Sequence, residues 1–366
     1  VYADAVEILF VFLLITHLVL NLRVAITIIG YNPARAQQQI PVSVIICAHN
    51  EHENLENLVP LILAQESVDF EVIVVLDRST DGSEEYLNSI ADHRLKTIVQ
   101  DHLPADWDGK KLGLMKAIES SKNEWLLLTD ADCVPTSSKW IKSFTELIDV
   151  NTELILGLSP YKIEHGFLSR IIQYETFQTA IHYTSATLRG QAYMGVGRNI
   201  AYKKSSFHNA GGFSGIGHIT GGDDDLLVQK IASNTNTRVN IGSESLTYSF
   251  PKRTWKEYLT QKTRHLSVGK FYRSKFKNEH TWRIIIHAGL WLSFLYLISF
   301  SSYPWRIIVP YGLLVLIKGL FFNKIASRTE MPLQMSWYPI MDLLYAVFLP
   351  LIAIRALLER NIRWKK

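Results

Sequence analysis

Long apolar runs lie at both ends of the chain, and the middle shows shorter apolar segments separated by polar ones. Residues 5–30 are almost continuously apolar, and further runs cover 284–300, 305–322 and 338–358. Each run is close to the roughly 20 residues that a helix needs to cross a bilayer. Trp and Tyr residues at the run edges are typical of a membrane-interface belt. The pattern predicts an uncleaved N-terminal transmembrane anchor and C-terminal membrane segments, with buried core helices as the alternative.

The basic residues near the last three runs complicate the topology. Lysine and arginine are frequent at 270–277 and again in the tail after 354. Basic flanks prefer the cytoplasmic side, yet four crossings would put these two flanks on opposite sides. One of the runs is therefore expected to lie in the interface or to re-enter, and the sequence leaves open which one.

The segment from 40 to 135 alternates strand and helix patterns. Such alternation predicts an α/β domain with a mostly parallel sheet covered on both faces, in which ligands bind beyond the carboxyl ends of the strands. We predict strands over 42–47, 72–76, 95–99 and 125–129, and helices over 53–65, 83–90 and 112–120.

Composition excludes several classes of protein. Of the 366 residues, 48% are hydrophobic and 20% are charged, which excludes a disordered chain. Two cysteines exclude a disulfide scaffold and a cysteine-rich metal site. A net charge of +4 suits an anionic membrane surface but does not by itself indicate nucleic acid. The chain lacks the glycine-rich loops of dinucleotide-binding and P-loop proteins.

Asp130-Ala-Asp132 directly follows the fourth predicted strand. Two carboxylates one residue apart, just past a strand, can share a hard divalent ion such as Mg²⁺ or Mn²⁺ and leave positions for phosphate oxygens. A surface turn in which Asp132 caps the helix near Ser137 is the alternative for this motif taken alone.

Gly221-Gly-Asp-Asp-Asp225 places three consecutive carboxylates before an apolar segment. Close carboxylates repel one another and raise one another's pKa, which suits a general base. Acidic residues that complement a helix dipole would give the same pattern, and both readings hold together.

Residues 255–272 have the pattern of an amphipathic helix that lies in the membrane interface. Gln261, Arg264 and His265 share one face of this helix, because they are three and four residues apart. Arg264 is expected to contact either a lipid headgroup or a diphosphate, which the planar guanidinium suits.

In this order, these motifs resemble those of the family-2 glycosyltransferases, which are membrane-anchored inverting enzymes with a GT-A fold. The resemblance covers about residues 40–270. Leu76 and Arg78 depart from the family's Asp-Asp-Gly-Ser-Thr-Asp-Gly turn, and His265 replaces the Trp of its Gln-x-x-Arg-Trp motif. The segments that carry the resemblance are 42–51, 76–82, 103–114, 130–132, 222–230 and 261–265.

The resemblance implies a role for each matching residue. Asp224 is the implied base rather than Asp223, since Leu227 and Lys230 then follow at the family's spacing. Asp132 and Asp130 are the implied ligands of Mg²⁺ or Mn²⁺. The implied acceptor-side residues are Gly195, Arg198 and Asn199, in a segment that could also be a turn before a core strand. The implied donor-binding residues are Ala48, Asn50, Glu51, Asp77, Lys110, Asp130, Gln261, Arg264 and His265.

The layout resembles that of ceramide glucosyltransferases and related bacterial lipid glycosyltransferases. It implies transfer of a sugar, most simply from a UDP-sugar, to a lipid hydroxyl at the cytoplasmic face of a bacterial inner membrane. Alternatives are a processive polysaccharide synthase, a polyprenyl-phosphate acceptor, a non-catalytic membrane scaffold and a transporter. We expect a transmembrane anchor over 1–32, a GT-A domain over 40–250, an interfacial helix region over 251–280 and membrane segments over 281–366.

Overall fold

The computed structural model describes residues 2–36, 40–66 and 69–358. The last part of the basic tail, 359–366, lies outside these residues. The chain divides into two compact units. The sheet unit comprises 32–162 and 186–251, and the helical unit comprises the described parts of 1–31, 163–185 and 252–360.

The described residues form nine strands and twelve α-helices. The strands are β1 (Val42–Ala48), β2 (Phe70–Asp77), β3 (Leu95–Gln100), β4 (Trp125–Asp130), β5 (Cys133–Pro135), β6 (Leu154–Leu156), β7 (Ile200–Lys203), β8 (Thr237–Val239) and β9 (Thr247–Ser249). The α-helices are α1 (Tyr2–Ile29), α2 (His52–Leu63), α3 (Ser83–Ser89), α4 (Gly109–Ser120), α5 (Trp140–Thr145), α6 (Phe167–Leu188), α7 (Lys204–Asn209), α8 (Asp225–Ile231), α9 (Trp255–Ser267), α10 (Ser274–Phe300), α11 (Trp305–Thr329) and α12 (Tyr338–Leu358).

A seven-stranded sheet in the order β3-β2-β1-β4-β7-β6-β8 forms the sheet unit, together with a small β5-β9 ribbon. The four strands from β3 to β4 in that order are mutually parallel, and β7 runs antiparallel to both of its neighbours. Every residue of β1 and β2 is buried, as expected for parallel strands covered by helices on both faces. The predicted α/β class with a mostly parallel sheet is confirmed.

The core of this sheet lies between β-branched strand residues and the apolar face of the covering helices. Leu55, Leu58, Val59 and Ile62 are spaced for one helical face, and all four are buried against the sheet. This packing fixes the register of the central strands, because a slip by one residue would turn each buried side chain to the opposite face.

Four helices of the helical unit are long and apolar enough to cross a membrane. They cover Asp4–Ile29, Ser274–Phe300, Trp305–Thr329 and Met335–Leu358, so the four predicted apolar runs are confirmed as long helices. Only 22–33% of each helix's most apolar window is buried within the protein. Large apolar side chains therefore face outward, which suits surrounding lipid rather than surrounding water.

A buried polar network links these four helices. Lys318 Nζ lies 2.6 Å from Asp342 Oδ1 and 3.1 Å from His17 Nε2. Tyr174 on α6 donates to the same Asp342 oxygen at 2.5 Å, and His287 Nε2 lies 3.5 Å from it. His17, His287 and Asp342 lie close enough to share a metal ion, but the Lys318 ammonium already supplies a cation to the carboxylate there. The network therefore ties one polar residue from each candidate span to Asp342.

The predicted amphipathic helix forms α9, and a short 3₁₀ turn, Val268–Phe271, continues it. A capping box begins the helix, in which Thr254 and Glu257 satisfy each other's backbone N–H groups. Lys262 forms an ion pair with Glu175 on α6, and the Tyr258 ring stacks on Phe348 of α12. These contacts anchor α9 within the helical unit.

Candidate active site

The carboxyl ends of β1, β2 and β4 meet at one edge of the sheet. Cys47 pairs with both Val75 and Asp130, so residues 48–51, 77–82 and 130–132 leave the sheet side by side. This edge is where ligands of parallel α/β sheets bind. The polar residues that the sequence singled out in these three segments therefore share one edge.

The loop after β1 is fixed to the loop after β2. Asn50 adopts a left-handed conformation with φ of 54°, and its side-chain oxygen accepts a hydrogen bond from Thr80 N at 2.8 Å. Glu51 precedes α2 and accepts a hydrogen bond from Asn54 at 2.5 Å. Ala48 is buried at the end of β1. Among the residues predicted at this strand end, Asn50 is exposed, whereas the buried Ala48 can offer a ligand only its backbone.

Asp77 ends β2 as a buried carboxylate. Arg78 Nε and Nη2 each donate to one of its oxygens at 2.9 Å, and Gln100 donates to Oδ1 at 2.8 Å. Burial alone would raise the pKa of Asp77, but the Arg78 and Gln100 hydrogen bonds outweigh it and hold that pKa below its ordinary value. A Cβ on Gly109 would lie 2.3 Å from Asp77 Oδ2, so only glycine allows α4 to begin this close to the carboxylate.

Lys110, next to that glycine, bridges two carboxylates. Its ammonium lies 2.8 Å from Asp130 Oδ1 and 3.0 Å from Asp223 Oδ2. Burial would lower the pKa of Lys110, but Asp130 and Asp223 raise it well above the ordinary value. The lysine is therefore a fixed positive charge between Asp130 and the acidic triplet.

Lys111 was not singled out from the sequence, although it is fully buried. Its ammonium donates to the carbonyl oxygens of Ile219 and Gly221, the latter at 2.5 Å. Lys111 thereby holds the turn that presents the acidic triplet. The adjacent lysines of the Gly-Lys-Lys segment were visible in the sequence, but only the fold shows that they point to different partners.

Asp224 is held by two backbone N–H groups, one on each oxygen. Gly197 N donates to Oδ2 at 2.7 Å, and Asp225 N donates to Oδ1 at 2.7 Å. Burial, followed by the negative charge of Asp223, raises the pKa of Asp224 to about 6. A carboxylate with this pKa is mostly ionised at neutral pH and still basic enough to accept a proton. Gly197 was quoted in the sequence motif without a role of its own.

Asp223 has the opposite character. Burial would raise its pKa, but Lys110 and Lys111 outweigh burial and lower it. The two neighbouring carboxylates thus have pKa values pushed apart by their surroundings, a pattern typical of divided acid–base roles. Asp225 begins α8, and its side chain is buried.

Asp130 and Asp132 fit a hard divalent ion by the chemistry of their ligand atoms. Both are partly exposed carboxylates, and Asp130 ends β4 while Asp132 lies just beyond it. Two such groups supply part of the oxygen shell of Mg²⁺ or Mn²⁺ and leave the remainder to phosphate and water. The Lys110 ammonium contacts Asp130 Oδ1, so a bound ion would share Asp130 with this lysine.

The predicted acceptor-side residues differ in accessibility. Arg198 is partly exposed, and it donates to the Ser159 hydroxyl at 2.8 Å and the Tyr161 hydroxyl at 3.0 Å. Gly195 is buried against Leu156. The Asn199 side chain is also buried, and it bonds to Trp140 Nε1 and to the carbonyls of Leu158 and Ser245. Asn199 therefore holds the interior of the domain and does not present its amide to solvent.

The remaining predicted donor-binding residues belong to the helical unit. Gln261, Arg264 and His265 lie on α9, and Arg264 Nη2 is 3.4 Å from His265 Nε2. Gln261 and Arg264 are partly exposed, and His265 is exposed. Their shared helix face agrees with the predicted spacing, and their contact with a donor stays a prediction.

Neither cysteine offers a nucleophile. Cys47 and Cys133 are free and buried, and burial raises the pKa of each thiol well above its ordinary value. The chemistry at this edge therefore depends on carboxylates and lysines.

The chain resembles a known family in part of its sequence and solved structures in its fold. Residues 43–211, somewhat under half of the chain, match the family model described as "Glycosyl transferase family 2". The mannosyltransferase PcManGT from Pyrobaculum calidifontis, solved with GDP-Man and Mn²⁺, is similar in fold with a TM-score of 0.59 and 16% identity, over 98% of this chain and 100% of that one. S. aureus TarS 1-349 with UDP-GlcNAc gives a TM-score of 0.42 and 14% identity, over 87% and 89% of the two chains.

Comparison with curated proteins found no match. The family match covers the ends of β1, β2 and β4 but not Asp223 or Asp224, and the similarity in fold to PcManGT extends over nearly the whole chain. Residues 43–211 are therefore similar to a family-2 glycosyltransferase domain, and the sheet unit has a GT-A-like fold.

Proposed function

We propose that this protein is an inverting glycosyltransferase that moves a sugar from a nucleotide-diphosphate donor to the hydroxyl of a lipid. The observation that carries the proposal is the placement of Asp224, whose pKa is about 6, next to the chain of charges from Asp223 through Lys110 to Asp130. A proton acceptor thus lies beside groups suited to a diphosphate.

The donor would lie across the carboxyl ends of β1, β2 and β4. Its diphosphate end belongs near Lys110, whose positive charge would stabilise the leaving group as negative charge develops there. Asp130 and Asp132 would hold Mg²⁺ or Mn²⁺, which when bound neutralises diphosphate charge. Arg264 on α9 is a further candidate for diphosphate contact, and this assignment rests on the sequence resemblance.

Two observations bear on the nucleobase of the donor, and they point to different bases. The sequence resemblance favours a UDP-sugar. The neighbour PcManGT was solved with GDP-Man and Mn²⁺. Both are sugar nucleotides with a diphosphate leaving group, so the same charged residues serve either donor.

Asp224 would accept the proton of the acceptor hydroxyl. Its two backbone hydrogen bonds fix the orientation of the carboxylate, and each oxygen keeps a further lone pair for the incoming proton. As the proton leaves, the hydroxyl oxygen attacks the anomeric carbon from the face opposite the diphosphate, and the configuration inverts. Asp223 would remain ionised throughout, because Lys110 and Lys111 stabilise its negative charge.

A lipid acceptor is supported by the four long apolar helices and by amphipathic α9. Such a chain would work at a membrane surface, where the acceptor hydroxyl of an amphiphile is presented. The basic residues that follow α9 favour the cytoplasmic face of a bacterial inner membrane.

Replacement of the proposed base tests this function. Asp224→Asn should lower transfer by at least about a hundredfold, the usual contribution of a general base, while nucleotide binding persists. Asp225→Asn is the matched control, because it changes the neighbouring carboxylate in the same triplet. We would measure transfer of labelled sugar and nucleotide affinity in detergent for both variants. Normal turnover by Asp224→Asn would refute the assignment of the base.

A further inference from the structure

Arg78 occupies an unusual position for an arginine. Its backbone has φ of 50°, a conformation that side-chain-bearing residues seldom adopt. The turn of the resembled family has glycine at this position, which adopts such a conformation without strain. A strained residue persists where the surrounding structure and a function offset the strain. The hydrogen bonds and exposure of the Arg78 side chain indicate this function.

The guanidinium of Arg78 is bonded to Asp77 along one edge, and the Arg78 side chain is partly exposed. Nε and Nη2 are used by the Asp77 carboxylate, whose side chain is only 1% exposed. The Arg78 side chain is 32% exposed. Nη1 donates to no residue among those that the structure describes. The edge formed by Nη1 and the second Nη2 hydrogen therefore remains for a ligand.

This edge lies in the crevice proposed for the donor. A Cβ on Gly109 would be 3.1 Å from Arg78 Nη2, and the next residue, Lys110, contacts Asp130 and Asp223. The dipeptide 109–110 thus connects Arg78 with the charged end of the crevice. If the diphosphate lies at Lys110, the nucleoside extends toward Arg78.

We infer that Arg78 reads the nucleobase of the donor and selects guanine over uracil. The free guanidinium edge presents two parallel N–H donors, and the O6 and N7 atoms of guanine are two adjacent acceptors that match them. Uracil has no such adjacent pair, because its N3–H donor separates O2 from O4. Asp77 is already bonded to Arg78 and Gln100, so it contributes by orienting the guanidinium. This inference rests on the proposed function and specifies its donor.

The test compares four nucleotides on the purified full-length protein in detergent with Mn²⁺. GDP should bind roughly tenfold or more tightly than UDP, in line with the discrimination of one bidentate arginine–guanine contact. 7-Deaza-GDP, which lacks the N7 acceptor, should bind several-fold more weakly than GDP. IDP keeps O6 and N7, so it should bind like GDP.

Two conservative variants distinguish recognition of the nucleobase from a simple effect of positive charge and from an effect on folding. Arg78→Lys keeps the positive charge but loses the pair of parallel N–H donors. The ratio of UDP to GDP dissociation constants should therefore fall about tenfold. GDP and 7-deaza-GDP should then bind with equal affinity. Arg94→Lys is the matched control. Arg94 forms a similar two-pronged pair with Asp92, but it precedes β3, at the opposite edge of the sheet.

Four outcomes would overturn the inference. Equal weakening of GDP and UDP by Arg78→Lys would assign Arg78 to the phosphates or to the fold. Equal binding of GDP and 7-deaza-GDP by the unmodified protein would exclude recognition at N7. Tighter binding of UDP than GDP would leave the transferase proposal intact and remove guanine selection, whereas binding of no nucleotide would remove both.

Discussion

The pKa of the proposed base predicts how the transfer rate depends on pH. Asp224 must be ionised to accept a proton, so the transfer rate should rise with pH through the pKa of about 6 and then level off. With that pKa, about a tenth of the base is ionised at pH 5 and about nine tenths at pH 7. The rate at pH 5 should therefore be roughly a tenth of its plateau.

Two substitutions should move this profile in opposite directions. Asp223→Asn removes the negative charge that helps to raise the pKa of Asp224, so the midpoint should move to lower pH. Lys110→Met removes a positive charge that lowers the pKa of Asp224, so the midpoint should move to higher pH. A shift of about one unit for Asp223→Asn would raise the relative rate at pH 5 about fivefold.

The assay is initial transfer rate between pH 4.5 and 8, with each profile divided by its own plateau. This normalisation separates the titration of the base from losses in donor binding, which both variants are expected to show. Measurements at subsaturating donor and acceptor report the pKa of the free enzyme, which is the state to which the value of about 6 belongs. Superimposable profiles for the three proteins, or shifts of both variants in the same direction, would refute Asp224 as the titrating base.

Three further substitutions test other parts of the account. Asp132→Asn should weaken metal-dependent nucleotide binding at least about tenfold without lowering the melting temperature, as measured by nucleotide titration with and without Mn²⁺. Gly109→Ala should destabilise the protein by about 1–3 kcal/mol, because its Cβ would lie 2.3 Å from Asp77 Oδ2; an unchanged thermal unfolding midpoint would contradict this. Lys318→Met should cost about 3 kcal/mol in detergent-denaturation experiments, since Asp342 loses its nearest cation, and a second change, Asp342→Leu, should recover part of that loss.

The sequence predicted the elements whose patterns are local. The strands β1, β2 and β4 are mostly apolar, and α2 between the first two has a clear apolar face. The three-residue strands β5, β6, β8 and β9 were not predicted, because so short a segment shows no periodicity. Helix α6 was missed because polar residues such as Gln173 and Gln178 are buried in it, which weakens the apolar stripe.

The candidate site was predicted in part for similar reasons. Carboxylates at strand ends carry their own signal, which indicated Asp77 and Asp130, and Asp224 was indicated by the acidic triplet before an apolar segment. The partners that set their pKa values and orientations, such as Lys111 and Gly197, come from distant segments and can be assigned only from the fold. The polar network around Asp342 was missed for the same reason, since its members are spread over five helices.

The central claim is transfer of a sugar from a nucleotide donor to a lipid. The most direct test incubates the purified protein in detergent with labelled UDP-, GDP- and dTDP-sugars, Mg²⁺ or Mn²⁺ and a total lipid extract, with Asp224→Asn in parallel. We predict that label from one donor moves into the organic phase, and that the variant abolishes this transfer. Label in a water-soluble polymer would contradict the lipid acceptor, and the absence of both turnover and metal-dependent nucleotide binding would contradict the assignment as a transferase.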